Sequence, residues 1–414
     1  MCLTLFICLN KIIFVTILPI CCPIPRIPLH LLCTKNLYIF LSIHSITAHL
    51  HFADNLADRP EEDRLYKLRP VVDCLSKQFA EVFTPGQKVC VDESLWRFKG
   101  RHHAIQFIPS KRARFGLKVY KLCPSVGQAA GYTCSFRVYM GQDRGEVLAS
   151  QRAVVDLMER ADLFGKGYEL YCDNWYTSPL LFHYLQSRGT NAVGTVRTTR
   201  KFMPRDLKVS KKGEWVRRST NTGVLALAWM DKKQVTVLST VHRGSSEEMI
   251  TLPPNRSGDV RIKPQAVLDY NIGKLGVDLS DQLGVSYQTP RKCRKWYHNL
   301  FFHLVDMAVV NAWKLHRYLG GSLDHREFGL KLVDSLTPLP TPRRQMPAGA
   351  APPRRRGTGL PEGHLLVRTP RYRRCKHCRE TRCIRKDVQW ECAVCKVGLC
   401  AGECFNAYSH TPRA

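Results

Sequence analysis

Tyr168-Glu169-Leu170-Tyr171-Cys172-Asp173-Asn174-Trp175-Tyr176-Thr177-Ser178 reads as a strand that ends on an acid and turns at once toward a helix. Its first five residues carry β-favouring side chains, and Ser178-Pro179-Leu180-Leu181-Phe182 opens a helical pattern. In α/β sheets a carboxylate at the C-terminal edge of a strand faces an open crevice, where ligand and metal chemistry is placed. The Asp173-Asn174 pair equally suits a helix cap, because both side chains satisfy free N–H groups.

Upstream, Gln87 to Val91 forms a short strand ending at Asp92-Glu93. Strands are expected at Ala104–Ile108, Phe115–Lys121 and Thr133–Met140, then a helix at Leu148–Leu163 and, past residue 178, a strand at Asn191–Arg197. A run of strands before that helix, followed by alternation, describes an α/β sheet with an antiparallel part. A helix precedes the sheet. It opens at the acidic run Asp58–Asp63, carries Leu65, Leu68, Val72, Leu75, Phe79 and Val82 at helical spacing, and stops at Pro85-Gly86. Residues 198–262 are rich in Lys, Arg, Ser and Thr, yet Val224–Met230 and Gln234–Val241 read as strands, so this is a β-rich insertion. The core resumes at Lys263-Pro264 and runs through Asp278 and Asp281 to a helix from about Trp296 to Tyr318. Leu300, Leu304, Met307, Ala308 and Leu315 form its apolar stripe.

The expected domain order is an atypical apolar segment over 1–49, a helical region over 50–85, the core over 86–197 and 263–335 with the insertion 198–262 between, a linker over 336–371 and a cysteine-rich domain over 372–414. Residues 1–49 are broken by Pro19, Pro23 and Pro25 and hold no run long enough to span a membrane, so no membrane is expected as a partner. The short apolar core before Cys21-Cys22-Pro23 has the layout of a signal peptide. The basic, zinc-spaced remainder does not suit secretion, and the segment reads as a foreign or misassigned start. The linker holds eight prolines, and fourteen Lys and Arg against two Glu lie between 341 and 386. Such a run is either merely solvated or serves nuclear import and phosphate contact.

The net charge of +29 implies an anionic partner, for which a nucleic-acid backbone is the usual source. Asp92, Asp173 and Asp278 are 81 and 105 residues apart, so only topology links them. Brought to one sheet edge, three carboxylates would repel unless a cation lay among them, and oxygen ligands suit Mg2+ or Mn2+. Paired hard ions polarise phosphate for in-line displacement. Capping or surface carboxylates are the competing reading. Lys99, Arg101, Lys111, Arg197, Arg200, Lys201, Arg291, Lys292 and Lys295 flank the acids and would hold phosphates without reading bases; singly, each also suits a solvated face. Trp175 and Trp296 suit either base stacking or core packing. In the tail, Cys375, Cys378, Cys383, Cys392, Cys395, Cys400, Cys404 and His410 supply eight ligands, enough for two tetrahedral Zn2+ ions; a disulfide scaffold is the competing reading.

Val91-Asp-Glu with Phe98-Lys-Gly-Arg101, Tyr171–Ser178, Gly194-Thr-Val-Arg-Thr-Thr-Arg200 with Pro204, and Trp229-Met-Asp-Lys-Lys233 with Leu238-Ser-Thr240 form a series of motifs. Lys263-Pro264, Asp269-Tyr-Asn271, Gly276–Gln282 and Lys295-Trp296 complete it. In these stretches, taken in order, the chain resembles the piggyBac transposase family. The resemblance implies a ribonuclease-H-like DDD core in which Asp92, Asp173 and Asp278 bind two divalent metals, with Asp281 as a nearby fourth acid. It implies that the cysteine-rich tail is a cross-braced module recognising transposon-end DNA. It further implies a nuclear homodimer acting on double-stranded DNA: hydrolysis at an element's 3′ ends, hairpin formation by the freed hydroxyl, and joining to a TTAA target. Two departures stand out. Residues 1–49 replace segments that serve DNA binding and dimerisation in the family, which predicts weakened or lost transposition, and Leu275 stands where Gly is usual. The alternative function is a domesticated DNA- or chromatin-binding protein without catalysis.

Overall fold

The computed structural model describes residues 49–54, 63–109, 111, 113–141, 148–254, 261–289, 295–336, 364–382, 385–401 and 403–408. Expectations resting on residues 1–48, on most of the 336–371 linker, and on Arg291, Lys292, Cys383 and His410 lie outside the described residues. The chain divides into two units, Met1–Pro338 and Leu339–Ala414.

The first unit is organised on β1 (Lys88–Arg97). On one side β1 pairs antiparallel with β3 (Phe115–Pro124), whose outer edge takes β2 (Ile105–Phe107) and β4 (Ser135–Val138). On the other side it pairs parallel with β5 (Glu169–Cys172), which pairs parallel with β6 (Asn191–Thr195). An antiparallel half joined to a parallel half through the first strand is the ribonuclease-H-like arrangement expected from the sequence. The β-rich insertion supplies β7 (Trp215–Ser219), β8 (Leu225–Met230) and β9 (Gln234–Ser239), and β9 pairs antiparallel with β6. These three strands therefore extend the same nine-stranded sheet. A separate pair, β10 (Met249–Leu252) and β11 (Arg261–Pro264), leads back to the core.

β1 corrects one expectation. It does not stop at Asp92-Glu93 but runs to Arg97, because β3 pairs along its length and sets Lys121 opposite Asp92. What does stop is the parallel ladder with β5, whose last rung is Val91 opposite Cys172. The period-two alternation of a strand then sorts the side chains. Val89 and Val91 pack with Ala153, Val154 and Leu157 of α2 (Ala149–Arg160) and with Leu181, Phe182 and Leu185 of α3 (Pro179–Ser187). Cys90, on the opposite face, packs with Ala266 and Tyr270 of α4 (Gln265–Gly273) and Val277 of α5 (Leu275–Ser286). Full burial of a side chain of this kind stabilises by roughly 1.5–3 kcal/mol.

The helices α4 and α5 meet at Lys274 and lie very close to the sheet. A Cβ on Gly273 would strike the Tyr171 ring, and one on Gly276 would strike the Pro124 carbonyl and come within 2.8 Å of Cys90 Sγ. Glycine at these two places lets the backbone approach that no other residue permits. Residues 58–62 of the acidic run expected to open a helix lie outside the described residues; helix α1 spans Arg69–Val82. Asp63, the described end of that run, holds Arg69 at 2.6 Å beside a 3-10 turn, Tyr66–Leu68. The helix α6 (Trp296–Tyr318) forms as expected and buries Leu300, Leu304 and Met307 against Val71, Leu75 and Phe79 of α1. Its Asn311 accepts from the Thr133 amide (2.7 Å) and donates to the Thr133 carbonyl (2.9 Å), satisfying backbone that enters β4. A further helix, α7 (His325–Leu336), packs Phe328 and Leu332 on Ala312.

The second unit is small. β12 (Leu366–Arg374) pairs antiparallel with β13 (Asp387–Cys392), alongside α8 (Lys376–Arg382) and α9 (Glu403–Ala407). β12 begins within the stretch whose composition reads as linker. Among the described residues, no helix is long and apolar enough to cross a membrane.

Candidate active site

Asp92 and Asp173 occupy the positions just past the last rung of the β1–β5 ladder, so they are neighbours where the parallel pairing ends, Asp173 directly after β5 and Asp92 within the continuing β1. Burial pushes the Asp92 carboxyl up to about 8; the Glu93 and Asp173 charges add to this, and Lys111 opposes it. Burial also raises Asp173, with Glu93 adding to the shift and the amides of Trp175 and Tyr176 opposing it. Asp173 Oδ1 accepts from the Trp175 amide at 2.9 Å, so it pins the turn after β5. The cap of α3 is Ser178, whose Oγ accepts from the Leu181 amide at 3.2 Å, with Pro179 at the first helical position. The capping alternative thus applies to a different residue.

The fold places the remaining acids on α5. Gly276 and Val277 sit against Cys90, and Asp281 reaches Ser94, so the helix covers the β1 face that also carries Asp92. Asp278, in the first turn of α5, is exposed. Asp281 is engaged on two sides: Ser94 Oγ donates to its Oδ1 at 2.5 Å and Lys121 Nζ at 2.8 Å. Lys121 is 3% exposed and also donates to Ser280 Oγ at 3.4 Å. Among the described residues, groups of three or more potential ligand atoms within 4.8 Å of one another occur only in the second unit. The acids of the sheet end do not draw together that tightly.

The basic residues divide by what they touch. Lys111 Nζ donates to the Glu93 carbonyl at 3.1 Å, which places its charge beside both acids. Arg200 donates to the Asn174 carbonyl (3.1 Å) and the Trp175 carbonyl (2.6 Å) and so braces the turn that carries Asp173. Lys99, Arg101, Arg197, Lys201 and Lys295 are exposed. Trp175 is half-buried, stacked on Tyr120 at 5.7 Å under Lys118, and Trp296 packs beside His102 at 4.8 Å; both are packing residues. A row of Ser239, His242 and Asp269 has triad-like spacing, with Ser239 Oγ 2.8 Å from His242 Nδ1 and His242 Nε2 3.0 Å from Asp269. Ser239 is fully buried and already accepts from the Val241 and His242 amides, so the row braces β9 against α4 and offers no accessible nucleophile.

In the second unit, Cys375, Cys378, Cys400 and Cys404 gather within 4.8 Å, as do His364, Cys392 and Cys395. Sulfurs at the corners of a tetrahedron with 2.3 Å bonds would stand about 3.8 Å apart. Cys378 lies 3.8 Å from Cys400 and 3.5 Å from Cys404, sulfur to sulfur. The ligands of the two groups alternate along the chain, which is a cross-brace. His364 is absent from the set read from the sequence, since it lies in a Pro- and Arg-rich stretch well ahead of the first Cys-x2-Cys. Its Nδ1 lies 3.3 Å from both Cys392 Sγ and Cys395 Sγ. Glu93 and Lys121 were likewise not singled out as site residues.

The sequence model of a family described as Transposase IS4 matches residues 44–313. Human PiggyBac transposable element-derived protein 3 is 28% identical over 378 residues, covering 86% of this chain and 60% of the relative. Human PiggyBac transposable element-derived protein 2 is 28% identical over 291 residues, covering 66% of this chain and 47% of the relative. The chain thus spans roughly half of these relatives' length. A piggyBac transposase solved by cryo-electron microscopy in a synaptic complex with hairpin DNA shares the fold, with a TM-score of 0.64 at 24% identity over 82% of this chain and 73% of that one. With a family match over well over half of its residues and the sheet order to go with it, the chain belongs to the piggyBac-type transposase family.

Proposed function

We propose that this protein is a metal-dependent DNA-cleaving and strand-transferring enzyme acting at the ends of a mobile element, with TTAA as the target for joining. The observation that carries the reading is that Asp92 and Asp173 both follow the last rung of the β1–β5 parallel ladder, on the sheet region covered by the helix that bears Asp278. Burial, with the Glu93 charge beside them, raises the proton affinity of both carboxylates, and a cation held among them would lower that cost. Asp92, Asp173 and Asp278 would hold Mg2+ or Mn2+, which supplies Lewis-acid polarisation of phosphate and activation of a water or 3′ hydroxyl. Lys111 sits where it would steady a phosphate beside the acids, and the exposed Lys99, Arg101, Arg197, Lys201 and Lys295 would set the backbone register. Asp281, held by Lys121 and Ser94, fixes α5 over β1 and so sets where Asp278 stands. Zn2+ fits the cross-braced Cys375–Cys378–Cys400–Cys404 group and the His364–Cys392–Cys395 group, and the resulting module would recognise element-end DNA. The basic linker would serve nuclear import, and a homodimer would hold two element ends together.

No observation favours a purely binding role over this reading, and the decisive experiment separates them. The full chain with Mn2+ is incubated with a duplex carrying an element end. Nicking that Asp173→Asn abolishes, with duplex affinity unchanged or slightly raised, supports the enzyme. Zinc content and duplex binding without any metal-dependent cleavage, unaltered by Asp173→Asn, would replace it with a binding protein.

A further inference from the structure

Residues 97–118 contain seven Lys and Arg and no Asp or Glu. Within this stretch β2 and β3 pair, and their last rung sets Phe107 directly opposite Phe115. Both rings lie on the same face at the open end of the sheet, 57% and 46% exposed, with centroids 4.7 Å apart and planes inclined by 31°. Two adjacent phenyl rings left in water cost free energy unless something covers them. The loop between the two strands returns toward the acids, since Lys111 reaches the Glu93 carbonyl. Six residues along β3 separate Phe115 from Lys121, the residue opposite Asp92, a span of about 20 Å at ~3.3 Å per residue.

We propose that Phe107 and Phe115 form a stacking platform for unpaired bases of a DNA strand whose backbone lies along the exposed Arg97, Lys99, Arg101 and Arg114. The inference rests on the DNA-processing reading above and adds to it a preference for single-stranded structure. A duplex keeps its base faces covered by their neighbours, so exposed rings gain nothing from it; an unpaired base offers a π face to any aromatic ring, whatever its sequence. The surrounding cations hold the phosphates of that strand. A second copy of the chain is a poorer occupant, because a two-fold contact through this patch would set like charges against each other. Stacked DNA rises ~3.4 Å per nucleotide and an unpaired strand extends further, so at most about six nucleotides lie between the platform and the acids.

The test uses the full-length protein in EDTA, where cleavage cannot intervene, with a fluorescein-labelled 20-nucleotide oligothymidylate and a duplex of the same length. The Phe107→Ala/Phe115→Ala double variant is expected to bind the oligothymidylate at least tenfold more weakly, with duplex affinity within twofold and an unchanged salt slope. Phe107→Trp should restore or exceed wild-type affinity. Unchanged oligothymidylate binding, or an equal loss on both probes, overturns the platform while leaving the DNA-processing reading in place. A shift of the monomer–dimer equilibrium in the double variant overturns it in favour of a contact between copies. If the wild-type chain binds neither probe, the DNA-processing reading itself has failed. Both rings are exposed, so melting temperatures of the variants serve as the control for folding.

Discussion

Replacing Asp92 with Asn should make the metal-free protein more stable at neutral pH and above, although it removes a metal ligand. The Asp92 carboxyl, ordinarily near 3.8, is pushed up to about 8 by burial and by the neighbouring acids. Its proton is therefore held more tightly in the folded chain than in the unfolded one. The associated stability is fully present below about pH 4 and is lost as pH rises through the folded value near 8. At ~1.4 kcal/mol per unit, a rise of about four units caps the loss near ~6 kcal/mol. Glu93, Asp173 and Lys111 share the effect, so ~2–3 kcal/mol is the working figure. In a unit of this size each kcal/mol moves the melting temperature by ~2–4 °C. In EDTA at pH 8, D92N should thus melt about 4–12 °C above wild type, with the gap closing toward pH 4. Mn2+ should raise the wild-type melting temperature and leave D92N nearly unmoved. Equal melting temperatures at pH 8, or a gap of the same size at both pH values, would refute the crowded-carboxylate account.

Cys378→Ser should release one zinc equivalent, measured by a metallochromic dye, and unfold the second unit without lowering the melting temperature of the first, because Cys378 lies in a four-sulfur group of its own unit. Gly276→Ala should destabilise the first unit by ~1–3 kcal/mol in urea titration and reduce Mn2+ affinity, since the added methyl pushes α5 away from Pro124 and Cys90. Lys121→Met alone leaves Asp281 unpaired beside Ser94 and should cost ~3–5 kcal/mol, whereas Lys121→Met with Asp281→Leu should recover much of that loss. A double variant as unstable as the single one would show that the pair is not a closed unit.

Much of the sheet was legible because its chemistry is local. Tyr168–Cys172 declares a strand by side-chain type, Ser178-Pro179 declares a helix start, and the stripe Leu300–Leu304–Met307 declares which face of α6 is buried. The full length of β1 was not legible, since Asp92-Glu93-Ser94 looks like a break and only the pairing with β3 carries the strand through it. Lys121 and His364 escaped for a related reason. A buried lysine is intelligible only through Asp281, 160 residues away, and His364 only through Cys392 and Cys395, since it stands just ahead of β12 in a stretch whose composition reads as linker. β7 was missed because Arg217, Arg218 and Ser219 leave an edge strand with no apolar period to read.

The separation of Asp173 from α5 also sets a timetable. The chain emits its residues from the N-terminus, and 105 residues lie between Asp173 and Asp278. At ~5–20 residues per second the ribosome takes about 5–20 s to cover that distance. During this interval β1, β5 and the strands beside them can pair, yet the helix that covers the acids has not been made. The nascent protein therefore passes through a stage in which a nearly finished sheet carries two uncovered acids, and it acquires its third acid only when the whole insertion has left the ribosome.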